Sequence, residues 1–420
     1  MKLNLVNLKI ILLQFFAVLM VWYLAETIIE RNQAGMQGLS YNLGLFYSLF
    51  FFIVLFLCFF KCNQNSPQYI LIGILLFYSY VWFFVFFSVA GYSDSKIIFL
   101  GGLLFLLPVI LLTLTQKYFK IYYNFPIFKH GLIKLPVEFV ITAILMFVFI
   151  AMIMKMELDF SLSDSYERRI LGRTIVIGLL GYFFDMSSNS LAPILAFLAI
   201  YNRNYKYLFF AFAFAILTFG FIGSKAPFVY VTLMSFTGYY FSKRSNNVVY
   251  LFVLVMTALI FFALLETLFF DSYLINDSFV RRITLSVVLV QMHYLDFIFT
   301  QAHSNYNFIT GNLDTTRITY RIGEIYFENS LSNVNTISFL AEFGQRGILG
   351  YFFNILFLVF FFSFLQHLDK VSKHKIWMAI ATIYSLLLLE QSYTVAFVSS
   401  GIGLITILCL LFNYKKNKYD

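Results

Sequence analysis

TTRITYRIGEIYFENSLSNVNTISFLAEFGQRGILG, residues 315–350, ends a polar interruption of residues 271–337 and leads back into apolar sequence over Ile337–Phe353. Every stretch before it is a series of hydrophobic runs joined by short links, so this segment alone has room to build a site outside a membrane. A helix over Asp314–Asn329 places Arg317, Arg321, Glu324 and Glu328 at i, i+4, i+7 and i+11, with two guanidiniums and two carboxylates on one face. Ile318, Ile322 and Ile325 lie mostly off that stripe, and are expected to seat the helix against the rest of the protein.

The 420 residues are 61% hydrophobic, 21% aromatic and 12% charged, where soluble domains carry about 25% charged residues. This composition excludes a soluble domain and predicts an all-α, polytopic integral membrane protein. A span needs about 20 apolar residues, and twelve stretches qualify: 10–29, 41–60, 68–90, 97–114, 135–154, 174–201, 207–222, 226–241, 248–270, 338–365, 376–391 and 395–413. The pairs 207–241 and 376–413 each read as one broken helix or two short ones. The expected organisation is helices 1–9 over residues 1–270, a large external loop with short amphipathic helices over 271–337, and helices 10–12 with a tail over 338–420. The opening MKLNLVNLK has no small-residue cleavage site after it and reads as the start of an uncleaved first span. Cys58, Cys62 and Cys409 all fall in or beside spans, where packing explains them.

With both termini on the cytoplasmic side, the inner links are rich in lysine, as the positive-inside rule requires. The basic residues assigned to the outer side are mostly arginines: Arg31, Arg168, Arg169, Arg173, Arg281, Arg282, Arg317, Arg321 and Arg346, with Lys96, Lys155 and Lys225. Lysine is a hydrated point charge, whereas arginine offers a planar fork that grips phosphate through two hydrogen bonds. The bias therefore predicts an external phosphate or pyrophosphate site. The competing reading pairs these arginines with acids of their own loops or with lipid headgroups.

Other features add candidates. In FGFIGSKAPFVYV the residues Gly223–Pro227 interrupt an apolar run, which reads either as a broken span with Lys225 in an external cavity or as a tight turn with Lys225 in water. Arg169 and Arg173 are four residues apart in the loop 155–173 and can join the site from a second direction. Asp185 in YFFDMSSNS is an ionisable group inside an apolar segment, functional or paired with a residue such as Arg173. Arg281 and Arg282 open a helix expected over 279–299, His293 and Asp296 stand near its end, and His303 follows. Glu342 and Arg346 are spaced for an ion pair, and Gly344, Gly347 and Gly350 give a smooth face for helix packing. No phosphate-binding loop, metalloprotease motif or hydrolase elbow is present, and no Asp-x-Asp pair that would hold a metal with a nucleotide diphosphate. ATP-driven chemistry and a soluble sugar-nucleotide donor are thereby disfavoured, and a substrate diphosphate would be neutralised by arginine, with no metal and no cofactor.

The broken span FIGSKAPF, the opening FVRRI followed by HYLDFIF, and NTISFLAEFGQRGILGYFF after the Arg-rich loop, together with the span count, resemble the Wzy-type O-antigen polymerases, membrane glycosyltransferases of GT-C-like architecture. The resemblance implies a bacterial inner-membrane enzyme. It would take undecaprenyl-pyrophosphate-linked repeat units and a growing polysaccharide at the periplasmic face, among membrane lipids, with a chain-length regulator as a further partner and no nucleic acid. It implies Arg281, Arg317 and Arg321, then Arg282 and Lys225, against the leaving diphosphate, with Glu324, Asp296 or His303 as base. Tyr294, Tyr306, Tyr320 and Tyr326 would stack on sugars or anchor at the interface. An O-antigen ligase of the same architecture, and a lipid-linked oligosaccharide flippase or other transporter, are the alternatives.

Overall fold

A computed structural model describes residues 5–31, 59, 62, 64, 66–80, 95–118, 132–161, 168, 171–172, 175, 178–243, 247–270, 272–300, 306–312, 317–330 and 333–414. The elements are α1 (Leu5–Arg31), α2 (Pro67–Ile74), α3 (Ser95–Tyr118), β1 (Ile133–Pro136), α4 (Val137–Ile153), α5 (Gly178–Met186), α6 (Ala192–Tyr201), α7 (Tyr205–Ile222), α8 (Ala226–Ser242) and α9 (Val248–Phe270). They continue as α10 (Leu285–Thr300), β2 (Tyr306–Asn307), β3 (Gly311–Asn312), α11 (Ile318–Phe327), α12 (Ser338–Ser372), α13 (Ile376–Leu387), α14 (Ile402–Leu411) and β4 (Phe412–Asn413). Among the described residues four π-helical turns interrupt this series, at Leu75–Tyr80, Ser187–Leu191, Asn276–Val280 and Val395–Ser399.

The chain is an all-α membrane protein, mostly helical and strongly apolar. Among the described residues six helices are long and apolar enough to cross a membrane: Val6–Leu24, Phe99–Gln116, Gly178–Tyr201, Tyr205–Ile222, Val248–Phe270 and Ser338–Ser372. The span expected at 248–270 matches its helix end to end. The expected twelve are not confirmed among the described residues. Residues 41–58 lie outside the description, and the apolar stretches at 135–154, 376–391 and 395–413 form helices of 17, 12 and 10 residues, the last two too short to span at about 1.5 Å per residue. The uncertain pair at 207–241 resolves into two helices, α7 and α8, because Gly223 turns left-handed (φ 66°) and ends α7.

The helices pack as two compact units, one of residues 1–120, 247–361 and 388–392, the other of residues 121–246, 362–387 and 393–420. In the first, α2 approaches α9 so closely that a Cβ on Gly73 would lie 2.6 Å from Val249. Buried polar groups tie α1 to α2: the Tyr69 hydroxyl donates to Asn7 Oδ1 (2.9 Å) and Gln14 Nε2 to the Phe77 carbonyl (3.4 Å). In the second, α6 is buried along most of its length and Gly238 of α8 sits against its backbone, where a Cβ would meet the Phe197 carbonyl at 2.7 Å.

One departure from the sequence reading shapes the first unit. The stretch expected to form one smooth helix from residue 338 breaks at Arg346 (φ −127°, ψ 16°) and Gly347 (φ 62°, ψ −160°), a backbone region essentially confined to glycine. The turn joining β2 and β3 fills the break: the Ile348 amide donates to the Phe308 carbonyl (3.0 Å) and the Leu349 amide to the Ile309 carbonyl (3.5 Å). The amides freed at the start of the second half are thus bonded from outside the helix. The three glycines therefore have different tasks. Gly344 does seat against a neighbour, 3.0 Å from Ile318 for an added Cβ, whereas Gly347 breaks the helix and Gly350 packs against the Arg346 side chain of its own helix.

Candidate functional site

The polar segment of the first unit folds as a small block of α10, the β2–β3 hairpin and α11. α11 runs from Ile318 to Phe327, shorter than the expected 314–329. Arg317 stands just before it with extended backbone, and Glu328 ends it in the left-handed conformation (φ 51°). The four-residue charged stripe reduces on the helix to Arg321 and Glu324. These bond to each other at 2.7 Å with both side chains partly exposed, an interaction worth about 0.2–1 kcal/mol. Ile318 and Ile322 are buried as the sequence requires, and Ile325 is half-buried. The start of α11 is fixed from α12, since Gln345 Oε1 accepts from the Ile318 amide (2.7 Å).

A second cluster joins α10 to α11. Asp296 Oδ2 accepts from the Tyr326 hydroxyl at 2.7 Å. The His293 ring stacks on Tyr326, with centroids 4.4 Å apart, and meets Phe327 edge-on at 5.3 Å. His293 Nδ1 is buried without a hydrogen-bond partner. Burial pushes the imidazole pKa down to about 4, against the opposing pull of Asp296, so it is neutral at pH 7. Tyr294 Oη donates to the Val334 carbonyl (3.0 Å) and Tyr306 Oη to the Phe343 carbonyl (3.0 Å). Both tyrosines are buried, which removes them from the set available to sugars.

The remaining candidates divide clearly. Arg281 is half-buried and its Nε donates to the Asp277 carbonyl (3.3 Å). Arg282 and Arg317 are exposed, and among the described residues neither has an ion-pair partner. Arg346 pairs with buried Glu342 at 2.6 Å, as its spacing predicts. Lys225 is exposed just ahead of α8 in the second unit, in a turn of Gly223–Lys225 between separate helices. Its description fits the water-facing reading. In the same unit Arg168 is bound by Asp159 and by the Ser161 hydroxyl and carbonyl, so the reading in which an acid of its own loop takes the arginine holds there. Two hydrogen bonds from Ser161 hold the Asp159 carboxyl below its ordinary range, with Arg168 adding to them. His303, Arg169 and Arg173 lie outside the described residues.

A groove of about 480 Å³ is lined by Leu135, Phe139, Ile144, Phe147, Phe183 and Phe412, among others, all apolar and all of the second unit. None of the candidate arginines lines it. Among the described residues no three His, Cys, Asp or Glu side chains gather as a metal site needs. The Tyr326–Asp296 bond and the Gln345 cap join residues 30 and 27 positions apart, and no local pattern announces either. No protein-family model matches the chain, and no curated protein or solved structure does.

Proposed function

We propose that the chain is a metal-independent membrane glycosyltransferase that polymerises undecaprenyl-pyrophosphate-linked O-antigen repeat units at the periplasmic face of the bacterial cytoplasmic membrane. The observation that carries this reading is the pairing, on one small helix, of arginine with an acid-linked phenol. Arg321 on α11, with exposed Arg317 just ahead of it, follows an N-terminus fixed by Gln345, and the same helix brings Tyr326 to Asp296. Arg282 adds a second exposed guanidinium, after Arg317, in the same unit.

In the reaction a hydroxyl of the incoming unit attacks the anomeric carbon of the chain, the C–O bond to the pyrophosphate breaks, and undecaprenyl pyrophosphate leaves with the electron pair. Arginines facing the departing oxygens stabilise charge that grows in the transition state, usually the largest single contribution to catalysis. The proton of the attacking hydroxyl passes to a carboxylate. Asp296 and Glu324 are the described choices, the first bonded to the Tyr326 hydroxyl and the second to Arg321. His303 stays a candidate by position in the sequence. Arg317→Ala and Arg321→Ala, expressed in cells lacking the native gene, are each expected to reduce long O-chains by about 10²-fold, with protein level and single-unit capping retained. Long chains persisting in both variants would overturn the reading.

A second reading, a transporter of lipid-linked oligosaccharide, is favoured by one observation. The second unit carries irregular helix segments with polar residues, Ser187–Leu191 inside a candidate span and Val395–Gly401 ahead of α14, as discontinuous transport helices do. Retained polymerisation together with lost export of lipid-linked units in variants of those segments would select it.

A further inference from the structure

We propose that the apolar groove of the second unit seats one acyl chain of an anionic glycerophospholipid, with Lys134 holding the phosphate at its mouth. The groove follows one face of α4, from Phe139 through Ala143 to Phe147, with Phe183 of α5 as a wall. Leu135 of β1 and Phe412 of β4 line it where those strands pair. Ala143 is the smallest residue of the lining and is exposed, so the groove is open there to whatever surrounds the protein.

The end of the groove at Leu135 lies at headgroup depth. Among the described residues β1 and β4 pair only with each other, in parallel, and β1 is exposed throughout. Each strand thus keeps an edge of unpaired amides and carbonyls, which the hydrocarbon of a bilayer does not tolerate, so the pair sits at the membrane surface. From there α4 rises about 15 Å between Val137 and Phe147, half of the ~30 Å hydrocarbon core. The groove therefore runs the depth of one leaflet, as an acyl chain does. A helix about 10 Å across fills about 1,200 Å³ over that length, against about 480 Å³ here, so a partner's helix would stand mostly outside it.

The charge at the mouth selects the lipid. Lys134 directly precedes Leu135, is exposed, and has no ion-pair partner among the described residues. Asn202 Nδ2 donates to Glu138 Oε1 (2.7 Å), which ties the link ahead of α7 to the first turn of α4 and brings exposed Lys206 to the same face. Glu138 itself is buried. In sequence Lys415 and Lys416 follow β4 within three residues. Hydrocarbon alone gives little preference, since lipid tails are as apolar as the lining, whereas lysines at the surface attract an anionic headgroup. Arg281, Arg282, Arg317 and Arg321 belong to the first unit, so the diphosphate of the proposed substrate has its partners elsewhere, and the lipid site stands whichever functional reading holds.

The full chain, purified in detergent, is titrated with dioleoyl phosphatidylglycerol or dioleoyl phosphatidylcholine, and bound lipid is counted by native mass spectrometry. Phosphatidylglycerol is expected to fill a site in a saturating curve at concentrations where phosphatidylcholine does not. Ala143→Phe fills the groove from an exposed position and is expected to abolish that site. Ile150→Phe, exposed on α4 but outside the lining, is expected to retain it. Lys134→Gln is expected to weaken phosphatidylglycerol binding about 5-fold. Equal binding of the two lipids to the unaltered chain overturns the proposal, even where no variant folds. Phosphatidylglycerol binding that survives Ala143→Phe overturns it as well, as does preference of that site for a polyprenyl phosphate, or a dimer of the chain that Ala143→Phe dissolves.

Discussion

The α10–α11 block and the π-turn between α5 and α6 both collect polar side chains in an apolar protein, but they settle them differently. In the block several polar groups have found partners, Tyr326 with Asp296, Gln345 with an amide, Arg321 with Glu324 and Arg346 with Glu342, while His293 Nδ1 is buried without one. In the π-turn, the Oγ atoms of two fully or nearly buried serines, Ser187 and Ser188, have none. A saturated network holds geometry, whereas an unsaturated one is open to a ligand. The first is suited to presenting charges such as Arg317 at a surface.

The largest effect on the saturated side should come from Gly347→Ala. The substitution forces a side chain into a glycine-only conformation and 2.3 Å from the Ile309 carbonyl, and should cost about 3 kcal/mol, read as a lowered thermal midpoint in detergent. Glu342→Ala comes next. It removes a carboxylate that is 2% exposed from Arg346, and a loss of about 1–2 kcal/mol is expected. Tyr326→Phe, which deletes one hydrogen bond to Asp296, should cost about 1 kcal/mol. Glu324→Ala should change stability by less than about 0.5 kcal/mol, because its pair with Arg321 is exposed. Should that order invert, the block is not held as its bonds imply.

His293 sharpens the same comparison through pH. Its folded pKa of about 4 lies below the ordinary value of 6.5. The unfolded chain therefore binds the proton more readily, and stability is full above about pH 6.5 and falls as pH drops toward 4. A thermal midpoint measured at pH 7 and pH 5 should fall for the unaltered chain and fall less for His293→Gln.

The apolar composition alone was enough to reveal a helical membrane protein, and the alternation of spans and links located α9 to the residue. The Glu342–Arg346 pair was legible because i, i+4 spacing is a local rule. The break in α12 was not, since a glycine every third residue reads equally well as a packing face, and only the hairpin at Tyr306–Asn312 decides what Gly347 does. Arg317 and Glu328 were misplaced for a related reason: helix ends are set by distant caps, here Gln345, and not by the spacing of charges. The π-turns left no trace, because Ser-Ser-Asn-Ser reads as ordinary helix sequence until a second segment crosses it.

The hairpin seated in α12 has a mechanical consequence. Since the Ile348 and Leu349 amides are bonded to Phe308 and Ile309, straightening the helix requires the hairpin to leave, and a departing hairpin would pull on the chain that leads through Gly311 and Asn312 toward Arg317. The joint and its latch are thus one device.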